Sequence, residues 1–469
     1  MTKFRMPVLL AGATLVLQAV RVEAQGTGQK GADPAELTRA LEARLDGLES
    51  EIASLRAELA QARADAAAAA TATPQPAIPP SIPTPARTTE QRLTALEQDA
   101  ALGIRVGATR FSIGGYLKLD ALVSDFSGGD PPANALINDY YAPAQIPVGG
   151  IGEGAELTTS VRETRIVLRS ETPLAGQTLT GLFEVDFLDT PLIGNQRVSN
   201  SFVPRVRRAF ITWNDFTFGQ DWSTFQNAAA LPERIDFIGP TEGTVFERQP
   251  LIRWRNDEFS IALENPETTI TVGTASFEAD DDVTPDLVLR YDHRLPHGSL
   301  TLAAIGRYLS VKDLVVSNPG SVTTINGEAF GWGVSASGVY DFGPNRLSWM
   351  GNVGEGIGRY LGINIRDDVI ATATGKIDAP LVYSGFIALR RSLSPRWRLI
   401  GTGSAYHSTT PEDAAQSLTA TVWSGNLDLI YNPLPHLTLG IGFRYASREL
   451  ANGAEGSLRR VQLSVRYDY

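Results

Sequence analysis

From Arg110 onward the chain alternates apolar and polar residues with a period of two, and it does so over runs too long for an ordinary soluble strand. Phe111, Ile113, Gly115, Leu117, Leu119, Ala121 and Val123 interleave with Ser112, Gly114, Tyr116, Lys118 and Asp120. The pattern recurs in Phe183, Val185 and Phe187 around Glu184 and Asp186, and in Leu437 to Tyr445 around Thr438, Gly442 and Arg444. Charges placed between apolar residues in mid-strand require one wet face and one apolar face. A β-sandwich satisfies that, but runs of about nine to eleven residues are the length that crosses a bilayer. A strand can cross lipid only in a closed barrel, because open backbone edges are not tolerated there. The expected fold is therefore an all-β transmembrane antiparallel barrel with an apolar exterior and a polar interior.

Connection lengths support this reading. Long links fall near residues 124–156, 189–203, 219–250, 264–285, 310–327, 357–379, 407–418 and 447–457. Short ones fall near 172–177, Asn214-Asp215, Asn256-Asp257, 293–298, 341–345, 391–395 and 432–436, with turn chemistry such as Asp341-Phe342-Gly343-Pro344-Asn345 and Asn432-Pro433. Alternating long and short links with about sixteen strands match a transmembrane barrel that has short periplasmic turns and long external loops. The final segment, Val461, Leu463, Val465, Tyr467 and Tyr469, keeps the alternation to its terminal aromatic. A terminal aromatic resembles the signal by which barrel-assembly machinery recognises its clients. Phe is usual there, so Tyr469 is a small departure.

The N-terminal part is of another kind. Lys3 and Arg5 precede an apolar run from Pro7 to Val20, and Val22-Glu23-Ala24 reads as a signal-peptidase site with Gln25 next. The expected organisation is a signal peptide over 1–24, a coiled-coil segment over 25–70, a Pro/Thr-rich spacer over 71–89, a short helical lead-in over 90–109 and the barrel over 110–469. Leu41, Leu45, Leu48, Ile52, Leu55 and Leu59 alternate steps of four and three, the a/d seam of a short coiled coil that needs partner chains to be stable. Pro74, Pro76, Pro79, Pro80, Pro83 and Pro85 stiffen the spacer.

Composition excludes more than it selects. A net charge of −11 and a pI near 5.1 argue against nucleic-acid binding. With no cysteine, thiol nucleophiles, disulfides and thiolate metal sites are excluded, and no cofactor motif or metal site is expected. The four histidines are His293, His297, His407 and His436. His407-Ser408 at the outer end of a strand is the one place where a lipase-like pair might be sought, and adjacency in sequence is weak support for it.

Arg205-Val206-Arg207-Arg208-Ala209-Phe210, Phe218-Gly219-Gln220-Asp221-Trp222-Ser223-Thr224-Phe225, Ile235-Asp236-Phe237-Ile238-Gly239-Pro240 and Arg248-Gln249-Pro250-Leu251-Ile252-Arg253 resemble the DcaP-type porins. The resemblance implies a sixteen-stranded homotrimer in the outer membrane of a Gram-negative bacterium, seated in lipid and lipopolysaccharide. It further implies one pore per subunit and a preference for small anionic solutes such as dicarboxylates. By analogy with general porins, residues 219–250 are expected to form a third external loop folded inward, so that Arg234, Glu242, Glu247 and Arg248 face the solute; the alternative is an ordinary external loop whose charges are solvated.

Arginine placement agrees with anion guidance. Arg444 and Arg466 lie on the polar side by parity, and Arg253 and Arg255 share a face. Arg207 and Arg208 are adjacent, so only one points inward from a regular strand, and Arg205 has the parity of Arg207. Guanidinium grips a carboxylate through parallel hydrogen bonds, which makes such a ladder suited to dicarboxylates. The competing reading has these arginines neutralising Glu163, Glu184 and Asp186 in a wet lumen. A different function on the same fold is a structural tether that joins the membrane to the cell wall through the coiled coil.

Overall fold

A computed structural model describes residues 103–188, 202–318 and 321–469. The signal peptide, coiled coil, spacer and most of the lead-in lie outside the described residues. The wall begins with β1 (Thr109–Phe126), then β2 in two pieces (Glu156–Ser160 and Arg165–Leu174), β3 (Gln177–Asp186), β4 (Arg205–Trp213) and β5 (Phe216–Trp222). It continues through β6 (Arg248–Arg255), β7 (Phe259–Glu264), β8 (Asp286–Leu295), β9 (Gly298–Asn318), β10 (Ser321–Phe342) and β11 (Asn345–Glu355). It ends with β12 (Leu381–Ser392), β13 (Trp397–Ser408), β14 (Thr419–Leu434), β15 (Leu437–Leu450) and β16 (Glu455–Asp468). Each strand pairs antiparallel with the next, and β16 returns to β1, with Tyr116 opposite Asp468 and Phe126 opposite Leu458. The sheet is thus a closed barrel of sixteen strands.

The inside-out polarity read from the sequence is explicit in β1. Ile113, Leu117, Leu119 and Val123 are exposed on the exterior, while Lys118, Asp120 and Ser124 are buried within. The final strand repeats it: Val461, Leu463, Val465 and Tyr467 face out, and Arg460, Gln462 and Ser464 face in. A continuous apolar exterior around a closed barrel is the surface of a transmembrane protein. At the turn end Trp213, Phe216, Phe259, Tyr340, Phe342, Trp397 and Tyr467 ring the exterior, and Tyr308, Phe330, Tyr383 and Trp423 ring it nearer the loops. Amphipathic rings at both rims suit the headgroup levels.

At one end the strands are joined by tight turns, including Ala175-Gly176, Asn214-Asp215 and Pro435-His436. Ala175, Asn214 and His436 hold positive φ there, the left-handed conformation such turns need. The other end carries the long connections, with two departures from expectation. Residues 310–327 are not a free loop: β9 and β10 stay paired out to Asn318 and Ser321, across a bulge between Val311 and Leu314. The hairpin is supported by a small sheet of loop strands, Thr269–Val272, Ala275–Glu278, Val369–Ala371 and Ile377–Asp378. Ile270, Val369, Leu309, Val311 and Ile325 form a buried cluster between them. Residues 447–457 are likewise mostly strand, because β15 and β16 pair as far as Glu449 and Glu455.

Three of the long connections fold into the barrel instead of covering it. Residues 127–155 bury Ile137, Tyr140, Tyr141 and Ile146; residues 223–247 bury Phe225, Ile235, Phe237, Ile238 and Val245; residues 356–380 bury Ile357, Tyr360, Leu361 and Val369. The last is anchored by Arg307 of β9, which is 1% exposed. Its guanidinium reaches Asp286 at 2.9 Å, Asp368 at 2.7 Å and the Gly356 carbonyl at 2.7 Å, beneath the ring of Tyr360. Removing one partner from a buried ionic network costs about 3–5 kcal/mol, because the remaining charges stay desolvated. Arg307→Ala should therefore lower markedly the temperature at which the folded barrel unfolds on a denaturing gel. An unchanged temperature would show that this network is not an anchor.

Candidate solute pathway

The loop of residues 223–247, between β5 and β6, is the third long connection and it crosses the lumen. The short turn Thr241–Gly243 lies against β12 and β13. At Gly243 a Cβ would fall 2.3 Å from the carbonyl oxygen of Gly385, so only glycine lets the backbones approach this closely. On the far wall Ile235 sits over Gly440, where a Cβ would come 2.3 Å from its Cγ2. Asp236 ties the tip to the first long loop by accepting from the amides of Tyr141 (3.0 Å), Ile238 (3.3 Å) and Gly239 (3.0 Å). Burial alone would raise its pKa, but Arg444 and the Gly239 and Tyr141 amides outweigh burial and hold it below the usual carboxylate range. Glu242, fully buried, is pushed up by burial against the pull of Arg444.

Opposite the loop stands a wall of arginines on β2 to β6. Arg205 grips Asp186 with two bonds of 3.0 and 3.1 Å. Arg207 reaches Glu184 at 2.6 Å and Asp186 at 2.7 Å, and Arg208 reaches Glu184 at 2.7 Å and Asp221 at 3.4 Å. Arg253 donates to Asp221 at 2.5 Å, and Arg165 lies 3.6 Å from Glu184. Strict alternation would send either Arg207 or Arg208 outward. A β-bulge overrides it: Glu184 pairs with Arg208, Val185 with Val206, and Arg207 is the extra residue between them. All three of Arg205, Arg207 and Arg208 consequently reach the interior acids.

Arg248, at the start of β6, completes the wall. Its guanidinium lies 5.1 Å from the ring centroid of Trp222 and 5.5 Å from that of Phe246. It has no carboxylate within ion-pair distance among the described residues, and its Nη1 is buried without a hydrogen-bond partner. Six arginines (165, 205, 207, 208, 248 and 253) thus face three carboxylates, Glu184, Asp186 and Asp221.

Two cavities flank the tip of the crossing loop, and Phe237 lines both. The outer one, about 330 Å³, is bounded by Tyr140, Phe246, Arg205, Arg248, Arg359 and residues of the long loops. The inner one, about 370 Å³, is bounded toward the turn end by Tyr116, Lys118, Arg165, Arg234 and Arg466. Among the described residues Arg234 donates only to the carbonyls of Pro232 and Phe237, at 3.0–3.2 Å, and burial lowers its pKa. Arg466 lies 4.0 Å from the centroid of Tyr116 and pairs with Asp468. Glu247, at the outer cavity, is raised to about 6 by burial, against the pull of Arg359 and Arg248.

The remaining expected residues are placed elsewhere. Arg255 is largely exposed at the turn end, 3.9 Å from Asp292. Arg444 has inward parity but lies under the ring of Tyr141, 4.1 Å from its centroid, and holds the loops in place. Tyr469 closes the seam, its hydroxyl donating to the Arg165 carbonyl at 3.2 Å and its backbone bonding Gly115. His407 is exposed and bonds Thr421 at 3.1 Å, whereas Ser408 is buried, so alternation puts the pair on opposite faces of the wall. Lys118, Arg165 and Arg359 were missing from the expected set. Lys118 was visible in the alternation of β1. Arg165 follows the interruption of β2 at 161–164, where parity restarts, and Arg359 lies in a loop without any period.

These features define a porin-type barrel: sixteen strands, an inward third loop and charged chambers on either side of it. No family model matches the chain, and no curated protein matches it. Among solved structures it is similar to the outer membrane channel DcaP of Acinetobacter baumannii, at 21% identity and a TM-score of 0.63, over 78% of this chain and 99% of that one. An anion-selective porin from Comamonas acidovorans is matched at 13% identity and a TM-score of 0.48, over 77% of this chain and 100% of that one. The resemblance to DcaP-type porins read from residues 205–255 is thus met by a shared fold.

Proposed function

We propose that this chain is an outer-membrane porin, a homotrimer whose subunits each pass small hydrophilic solutes by diffusion, with a preference for anions such as dicarboxylates. The N-terminal segment then lies in the periplasm, where its coiled coil assists trimerisation. The observation that carries the reading is the excess of three positive charges on the wall facing the crossing loop. At an effective dielectric near 20 a charge contact at 4 Å is worth about 4 kcal/mol before desolvation. Intramolecular pairing tempers that attraction, as a conduction site requires, because a solute held too firmly does not leave.

Planar-bilayer recording across a salt gradient tests this. Closure in three equal steps with an anion-selective reversal potential supports it, and cation selectivity overturns the solute preference. A folded barrel that passes no current overturns the channel and favours the tether. The pH dependence has a defined sign. Glu247 titrates near 6, so below that value it becomes neutral while ordinary carboxylates, near 4, remain charged. Anion selectivity should therefore rise as pH falls from 7 to 5; a flat profile would remove Glu247 from the pathway.

A further inference from the structure

The outer chamber contains charges that the internal pairing leaves over. Of its three arginines, Arg205 is held by Asp186, and Arg359 donates to Gln249 and to the Asn265 carbonyl at 2.9 Å and lies 4.0 Å from Glu247. Arg248 is the remainder, with its buried Nη1 unsatisfied. Of the three glutamates, Glu247 faces Arg359, while Glu267 and Glu278 stand with Asp280, their carboxylate oxygens within 4.8 Å of one another. None of these three has an ion-pair partner among the described residues. Glu267 Oε1 and Asn364 Oδ1, on residues lining the same chamber, are buried acceptors without donors.

Between these groups the chamber is aromatic. The rings of Tyr140 and Phe237 lie 5.0 Å apart, those of Phe237 and Phe246 lie 5.7 Å apart, and Ile363 adds apolar surface. A volume of about 330 Å³ corresponds to a sphere roughly 9 Å across, small for a ligand pocket and ample for a single-ring solute.

We propose that this chamber recognises aromatic zwitterions, small solutes that carry a carboxylate, an ammonium group and one flat ring. The carboxylate takes the free guanidinium of Arg248, the ammonium takes Glu267, Glu278 and Asn364, and the ring packs on Phe237 and Phe246. A plain anion gains Arg248 but meets the acidic side, and a plain cation meets the reverse. Only a solute with both charges gains at both ends. The site lies on the route assigned under the porin reading and rests on that reading for its supply of solute.

The test uses the refolded full chain in a bilayer, with L-phenylalanine, 3-phenylpropionate, phenethylamine and L-alanine added from the loop side. Phenylalanine should give the longest current interruptions, about tenfold longer than each of the other three. Glu278→Gln should shorten the phenylalanine events without affecting those of phenylpropionate, and Arg248→Gln should shorten both. Equal residence of phenylpropionate and phenylalanine overturns the zwitterion assignment, and equal residence of alanine overturns the aromatic part. Absence of any KCl current is a failure of the porin reading alone. Calorimetric titration of the detergent-solubilised barrel with the same four compounds then decides the site by the same ranking.

Discussion

Replacing Arg205, Arg208 and Arg253 by glutamine should abolish the anion preference of the channel. All three are partly exposed, with side chains 25%, 22% and 17% accessible, so their charge is felt by a passing ion. Removing three charges from six leaves the wall balanced against Glu184, Asp186 and Asp221. Arg207 stays in place: it is 2% exposed and keeps Glu184 and Asp186 paired, whereas buried Asp221 loses both Arg208 and Arg253, so a folded barrel on a gel is the control that separates selectivity from stability. Reversal potential across a salt gradient reads the result. Anion selectivity that survives the triple substitution would mean that the chambers, and not the wall, choose the ion.

Gly243→Val should open the channel. A Cβ at this position would lie 2.3 Å from the Gly385 oxygen, 2.4 Å from its carbonyl carbon and 2.7 Å from Ser404 Oγ, and the first two are backbone atoms of the wall. The strand cannot yield without breaking its ladder, so the crossing loop must lift instead. With it goes the packing of Val245 and Tyr360 in the cluster that binds loop to wall. The expected outcome is a higher single-channel conductance and weaker discrimination between small and large solutes, with the barrel still folded on a gel. Unchanged conductance would show that the loop is held elsewhere strongly enough to absorb the distortion, with the seat of Ile235 over Gly440 the first place to look.

Much of the wall was legible because a barrel strand has only two faces and a turn only a few tolerated residues. Leu117 outward and Lys118 inward follow from alternation alone, as do the turns at Asn214 and His436 from their neighbours. The interior was less legible. Nothing local in Tyr140, Tyr141 or Tyr360 distinguishes a residue buried in the lumen from one under a surface loop; their burial depends on contacts with strands far away in sequence. The end of the β9–β10 hairpin reads as a loop in the sequence because Lys312 and Asp313 interrupt the alternation where the strand bulges. The arginine wall is half legible: five of its six members stand out in the sequence and Arg165 does not, and parity gives directions that one extra residue overturns.

That extra residue has a consequence in genetic terms. A regular strand offers the lumen one side chain for every two residues, so charge density along it has a ceiling set by the pleat. If Arg207 were deleted, Arg208 would still oppose Glu184 and Arg205 would still oppose Asp186, in an unbroken ladder. The bulge is therefore equivalent to one codon inserted into an ordinary strand, adding a third guanidinium while every neighbour keeps its face. Gain or loss of that codon changes the charge of the pore without turning any neighbouring side chain to the opposite face of the wall.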